Sequence, residues 1–235
     1  MSFTTQDKNT FRDEQLEYPR VLDAFQEKAE EVYAMLKSKG VSHSSFDIYI
    51  RAFKFEEQIE VWAKNQEDST HVLVVTYNFC SNVGDLGPKR KEGDKQIPEG
   101  AYVLSKFNPR SNFHLSLKVN YPNFSDSILS DRFSPGGMIF IHGGCRTVGC
   151  IPITDDKIKE LYVFCVESTN TGQNEIPIHI FPARLTDENF GLMKEQYDLE
   201  LADFWRQLKV GYDLFQESKK VPLHEIDTSG VYTFY

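Results

Sequence analysis

Cysteine is scarce in this chain, and apolar runs long enough to cross a bilayer are absent. The four cysteines, Cys80, Cys145, Cys150 and Cys165, show no disulfide-framework spacing, and 235 residues can bury a core without covalent staples. Cys165 falls on the apolar face of an expected helix and Cys80 follows a strand-like run, so both are expected to be free, buried thiols. The opening stretch, Met1 to Lys8, has neither the basic nor the apolar region of an export signal. Positive charge is also short: 26 Lys and Arg against 35 Asp and Glu give a net charge of -9. That balance excludes the concentrated basic face of a nucleic-acid binder. The one basic cluster, Lys89-Arg90-Lys91, is flanked by Glu92 and Asp94 and reads as a solvated loop. There is no internal repeat and no low-complexity tract.

What is present is periodic. Leu16, Val21, Leu22, Phe25, Ala29, Val32, Tyr33 and Leu36 recur at helical spacing, giving a helix over about 14–39. Pro19 marks the start of its main part and Gly40 its stop. Strands follow over 46–55, 58–64 and 71–79, the last two joined by a polar hairpin at Gln66-Glu67-Asp68-Ser69. The charged segment from Gly84 to Gly100, punctuated by glycine and proline, predicts a long surface loop. Strands over 101–107 and 113–120 come next. In the second, Phe113, Leu115, Leu117 and Val119 share a core face, and His114, Ser116, Lys118 and Asn120 share a polar one. A polar loop covers 121–135. Beyond residue 150, Thr154 suits a helix N-cap with Asp155 and Asp156 in the first turn, and Ile158, Leu161, Tyr162 and Cys165 form its buried stripe. A strand over 176–181 and helices over 187–196 and 198–218 complete the pattern. The last carries a stripe of Leu201, Phe204, Trp205, Leu208, Tyr212 and Phe215.

The stretch from Gly136 to Asp156 is where chemistry concentrates. A short apolar run, Met138 to Ile141, reads as a buried strand that ends at His142. A glycine-rich turn then leads to Gly149-Cys150. Three readings of His142, Cys145 and Cys150 stand side by side. In one, His142 lowers the barrier to a Cys150 thiolate, and amides near Gly149 face the carbonyl it attacks. In the second, the three residues bind zinc, although H-x2-C-x4-C is not a recognised zinc spacing and no fourth ligand lies nearby. In the third, both cysteines are inert core residues.

A wider set of motifs accompanies this stretch: Gly87-Pro88-Lys89, Glu92-Gly93-Asp94, Pro98-Glu99-Gly100, Phe113-His114-Leu115-Ser116-Leu117, Tyr121-Pro122-Asn123, Ile141-His142-Gly143, Val148-Gly149-Cys150 and Thr154-Asp155-Asp156, then Glu160-Leu161-Tyr162. In this order, across about 72–182, the chain resembles the catalytic domain of the YkuD-type L,D-transpeptidases, closest to their YafK-like murein branch. The resemblance implies an α+β fold: a mostly β catalytic core with a mixed sheet over 43–185, a helical segment over 1–42 packed on it, and a helical extension over 186–235.

It also implies roles. Cys150 would be the nucleophile, His142 its base, and the Gly143 carbonyl the group that orients the histidine. Amides of Val148, Gly149 and Cys150 would form the oxyanion hole, with His114, Ser116, Tyr121, Asn123 and Arg146 as candidates for binding substrate. The implied substrates are peptidoglycan stem peptides, with a wall-linked protein, a D-amino acid or water as acceptor. No metal or organic cofactor is implied, and the implied location is the periplasm or cell envelope. Two features depart from the common family motif: no second histidine precedes Gly149, and Ile151-Pro152-Ile153 stands where an arginine is usual. Arg146 is then the local candidate for a substrate carboxylate. Cys145 is expected to be a bystander, or else a partner for Cys150 in an oxidised disulfide. The alternative function is a non-catalytic murein-binding or scaffolding protein on the same fold.

Overall fold

The computed structural model describes residues 10–235, so Met1 to Lys8, read above for an export signal, lie outside the described residues. The expected first helix is two. α1 (Phe11–Leu16) is closed by a capping box between Thr10 and Asp13, and α2 (Pro19–Ser38) starts on its proline. The break falls just before Pro19 because the residue preceding a proline is pushed out of the helical region. Gly40 takes φ +75° at the end of α2, as predicted for a helix stop.

Eight strands form one mixed sheet: β1 (Phe46–Phe53), β2 (Gln58–Asn65), β3 (Val72–Asn78), β4 (Gly100–Asn108), β5 (Ser116–Val119), β6 (Phe140–His142), β7 (Ile151–Pro152) and β8 (Ile176–Phe181). Their order is β3-β2-β1-β8-β4-β5-β6-β7, with β1–β8 and β6–β7 parallel and the other pairs antiparallel. Most of the expected strands appear within a residue or two. β5 is the exception. The expected strand over 113–120 begins only at Ser116, because His114 takes φ +67° and breaks the alternation. Phe113 is exposed as a result, while Leu115, Leu117 and Val119 are fully buried.

Both faces of the sheet are covered. On one, α4 (Thr154–Asn170) lies against the sheet, under α2, and is buried from Glu160 to Ser168. Its buried carboxylates meet cations from the N-terminal helices: Glu160 pairs with Lys28 at 3.3 Å and Glu167 with Arg12 at 3.3 Å. Thr154 is the first residue of α4 rather than its N-cap as expected; the N-cap position falls on Ile153, which offers no side-chain cap, and the Thr154 hydroxyl accepts from the Lys157 amide at 3.4 Å. On the other face lie α5 (Asp187–Gln196), α6 (Leu199–Ser218) and a hairpin of β9 (His224–Ile226) and β10 (Tyr232–Phe234), packed around Phe53, Phe181, Trp205, Leu208 and Tyr212. The hairpin, the two-residue strand β7 and α3 (Phe124–Leu129), which lies inside the expected 121–135 loop, went unread in the sequence. The signal for α3 was there: Asn123 and Asp126 form a reciprocal capping box.

The segment from Gly84 to Gly100 is a loop, as expected, but it is not simply a surface loop. Lys89, Ile97, Pro98 and Glu99 are buried. Lys54, at the end of β1, anchors both its ends: the ammonium donates to Gly87 O at 2.6 Å, Ile97 O at 3.1 Å and Glu99 Oε1 at 2.9 Å. The Glu99 carboxylate also accepts from the Gly87 amide and from Trp205 Nε1 of α6, both at 2.7 Å. Every member of this buried network is satisfied, which is what makes a buried ion pair tolerable.

Candidate active site

β6 and β7 run parallel, with Ile141 opposite Ile151 and His142 opposite Pro152. Extended by one residue, that register places Cys150 beside Phe140, on the same face of the ladder as His142 and diagonal to it. His142 is 2% exposed. Its ring lies 4.6 Å from that of Phe113, centroid to centroid, and its Nδ1 is 2.5 Å from the Gly143 carbonyl. A carbonyl only accepts, so Nδ1 carries the proton and Nε2 is left with its lone pair. The Gly143 contact implied by the resemblance is therefore in place. Glycine is needed there: a Cβ would sit 2.5 Å from Asp155 Oδ1 and 2.8 Å from Phe113 O.

The turn that carries Cys150 is shaped by contacts the sequence did not reveal. Gly149 takes φ +93°, and a Cβ on it would lie 2.7 Å from the Gln96 carbonyl, so the long loop presses directly on this turn. The Thr147 hydroxyl accepts from the Cys150 amide at 2.9 Å and donates to the Cys150 carbonyl at 2.8 Å. That bond occupies one of the three amides expected to face an oxyanion. Among the described residues, the Val148 and Gly149 amides have no acceptor. Asp155 accepts from the Gly144 amide at 2.7 Å and steadies the start of the turn.

Cys150 is half-buried and free, and its Sγ donates to the Met138 carbonyl at 3.5 Å. Among the described residues no hydrogen bond joins it to His142. Burial pushes the Cys150 thiol above its ordinary value of 9.0, opposed by the Phe140 backbone and the Lys89 ammonium. Burial also holds His142 below 6.5, against the pull of the Gly143 carbonyl. At neutral pH the Cys150 thiol and the His142 imidazole are therefore both neutral. A reaction that used His142 as its base should be level from pH 7 to 8 and fall only as the pH drops below 6.5 and His142 takes a proton. Direct alkylation of Cys150 by iodoacetamide should keep rising past pH 9. An alkylation rate already saturated at pH 6 would instead indicate a preformed thiolate–imidazolium pair.

The remaining expected site residues divide. Ser116 is buried opposite His142 in the β5–β6 register and accepts from Asn108 Nδ2 at 3.1 Å. Arg146 is exposed on the same turn as Cys150 and, among the described residues, has no ion-pair partner. Tyr121 and Asn123 are committed to the fold. The Tyr121 hydroxyl donates to Pro135 O at 3.0 Å, and Asn123 caps α3 while its amide donates to Ala101 O at 2.9 Å and Tyr232 Oη at 2.6 Å. His114 lies among Asp155, Lys159 and Arg20, with its Nε2 buried and unpartnered. Two cavities of about 430 and 500 Å³ flank Leu86, between the long loop and the C-terminal helices, and neither is lined by Cys150 or His142. Cys150 is half-buried outside both cavities, and Met138 and Val148 in the same stretch are exposed.

The cysteine expectations need correction. Cys80 and Cys145 form a disulfide, with their Cα atoms 5.4 Å apart. Cys80 is thus not a free thiol, and Cys145 is neither a bystander nor the partner of Cys150. The pair is 65 residues apart in sequence, and such pairing cannot be read from spacing. The bond also removes Cys145 from the zinc set considered with His142 and Cys150. Among the described residues, no group of three His, Cys, Asp or Glu could hold a metal ion. Cys165 is free and buried, as expected. Titration with Ellman's reagent should find one reactive thiol in the native protein, two after unfolding without reductant, and four after reduction. Four thiols, or none, after unfolding without reductant would contradict this pairing.

Among the described residues no helix is long and apolar enough to cross a membrane. The YkuD family, the L,D-transpeptidase catalytic domain, matches residues 48–180, reaching back into β1 beyond the 72–182 expected from the motifs. YafK of Escherichia coli (strain K12), which carries an L,D-transpeptidase name, is 33% identical over 177 residues, covering 74% of this chain and 69% of its own. Two solved structures also align. The helical cell shape determining protein Pgp2 of Campylobacter jejuni does so at 15% identity and TM-score 0.46, over 78% of this chain and 73% of that one. Bd1075 of Bdellovibrio bacteriovorus does so at 22% identity and TM-score 0.42, over 74% and 62%. On the match over 48–180 and the identity to YafK, this chain belongs to the L,D-transpeptidase catalytic domain family.

Proposed function

We propose that the protein is a cysteine-dependent acyltransferase acting on peptidoglycan stem peptides, with residues 43–185 as the catalytic unit and 1–42 and 186–235 as its flanking supports. Family membership supports a peptidoglycan-related activity. The observation that carries the finer reading is the His142 ring, held by Gly143 so that its basic nitrogen is free on the face that Cys150 shares. In the proposed reaction Nε2 takes the Sγ proton as sulfur attacks the carbonyl carbon at the L-centre of an L,D-peptide bond. The Val148 and Gly149 amides hold the resulting oxyanion, and the Cys150 amide joins them if the Thr147 hydroxyl releases it. The C–N bond then breaks, and the leaving amine takes the proton from His142. An amine acceptor resolves the thioester by transfer and water resolves it by hydrolysis; no metal or organic cofactor takes part. The Cys80–Cys145 bond fits an oxidising compartment and so supports a periplasmic or envelope location.

The thiol's bond to Met138 and its raised pKa are what favour the second reading, a murein-binding scaffold with an unactivated cysteine. Mass spectrometry of purified muropeptides incubated with the protein, with and without a free D-amino acid, separates the two. The enzyme reading expects shortened or exchanged stems. Measurable binding with unchanged stems would favour the scaffold.

A further inference from the structure

The basic cluster expected to be a solvated loop hides a buried cation packed against Gly136, in the stretch that leads to Met138. Lys89 is 4% exposed. Its Nζ donates to Asp94 Oδ1 at 2.6 Å and Lys91 O at 2.8 Å, leaving the third of its N–H groups without an acceptor among the described residues. Its stem lies along Gly136, where a Cβ would come within 2.9 Å of Cε and 3.3 Å of Nζ. Two residues on, Met138 presents the carbonyl that accepts from Cys150 Sγ. Asp94 is turned into its own loop, accepting from the Arg90, Lys91 and Gln96 amides at 2.8, 3.0 and 3.1 Å. That arrangement fixes Lys89 and also fixes Gln96, whose carbonyl presses on Gly149.

We propose that Lys89, clamped by Asp94, is a positioning residue that supports negative charge on the Cys150 sulfur and on the tetrahedral intermediate formed from it. The inference rests on Cys150 being the nucleophile. Lys89 offsets the burial that disfavours the thiolate. The Lys89 field already acts against that burial at the thiol. The other groups around Cys150 do not supply it. His142 on β6 is neutral, Asp155 on α4 is spent on the Gly144 amide, Arg146 points to solvent from the turn, and Tyr121, pushed up to about 12, is a neutral phenol.

The test is the pH profile of iodoacetamide alkylation at Cys150, followed by peptide mass mapping, in Lys89→Met, Lys89→Arg and Asp94→Asn. Lys89→Met should move the profile to higher pH and slow alkylation about tenfold at pH 8. Lys89→Arg should stay near the parent. Asp94→Asn, which keeps the cation and removes its neutralising partner, should move the profile the other way and speed alkylation about threefold. A lysine that merely pins the loop predicts the same direction for both losses. Lys89→Met superimposing on the parent, or Asp94→Asn slowing alkylation, overturns the proposal. If Lys89→Met does not fold by circular dichroism, the sign of the Asp94→Asn shift decides alone. The profile reads the field at the sulfur whether or not muropeptides turn over. Undiminished turnover by Cys150→Ala would refute the nucleophile reading separately.

Discussion

Cys150→Ala should form no acyl-enzyme and release no shortened stem peptide, with the fold and the denaturation midpoint close to those of the parent. The side chain is half-buried and makes only one weak hydrogen bond, so its loss costs little packing. In the proposed chemistry nothing else in the site can take its place: Cys145 is locked to Cys80 and Cys165 is buried in α4. His142→Ala should slow acylation by about 10²–10⁴, the usual worth of a positioned general base. The double variant should be no worse than Cys150→Ala, because residues that act as a unit are not additive. Stopped-flow loss of carbapenem absorbance measures both rates. Cys150→Ala acylating at even a tenth of the parent rate would remove it from the mechanism.

Lys54→Met should unfold at a much lower denaturant concentration, with a loss of about 3–5 kcal/mol, the usual result of removing one partner of a buried ion pair. Both side chains of the pair are fully buried. Without Lys54, the Glu99 carboxylate keeps only its bonds from Gly87 and Trp205, and the Gly87 and Ile97 carbonyls lose their donor. Replacing Glu99 by Leu as well should recover part of the loss, since an uncompensated charge costs more than an apolar pair. It should not recover all of it, because the Trp205 indole and the Gly87 amide would then be orphaned. Acylation should fall alongside stability, since this network holds the loop whose Gln96 carbonyl packs against Gly149. A loss below about 1 kcal/mol in urea titrations would show that the loop is held by something else.

The parts of the fold that could be read in the sequence were those with one apolar face. α2 and α6 each bury a stripe at helical spacing, and β8 is an apolar run bounded by turns; α4, read from a stripe of Ile158, Leu161, Tyr162 and Cys165, is in fact buried on every side from Glu160 to Ser168. β1 was harder to read because both its faces are covered. Ile48, Ile50 and Ala52 face α2 and α4, while Arg51 and Phe53 face α6, where the guanidinium sits 4.7–4.9 Å from the rings of Phe53, Tyr212 and Phe215. An alternation with both phases buried leaves no polar face to mark it. Short elements were missed because a six-residue helix and three-residue strands carry too few residues for a period to show.

In the site, the His142, Gly143 and Cys150 stretch was legible because its residues lie within nine positions of one another, bracketed by a strand end and a glycine turn. Its supports come from elsewhere in the chain: Cys80 from beyond β3, Lys89 and Gln96 from the long loop, Asp155 from α4. Long-range pairing of that kind leaves no local signature. It also explains why a charged cluster such as Lys89-Arg90-Lys91 looked solvated when one of its members is buried against Gly136.

The most direct test of the proposed mechanism is intact-protein mass spectrometry after brief incubation with a tetrapeptide stem or a carbapenem, followed by peptide mapping. The prediction is one adduct per chain, on the peptide carrying Cys150, absent from Cys150→Ala and retained when Cys80 and Cys145 are both replaced by serine. Stem cleavage that continues in Cys150→Ala at the parent's rate, or an adduct on any other residue, would contradict it.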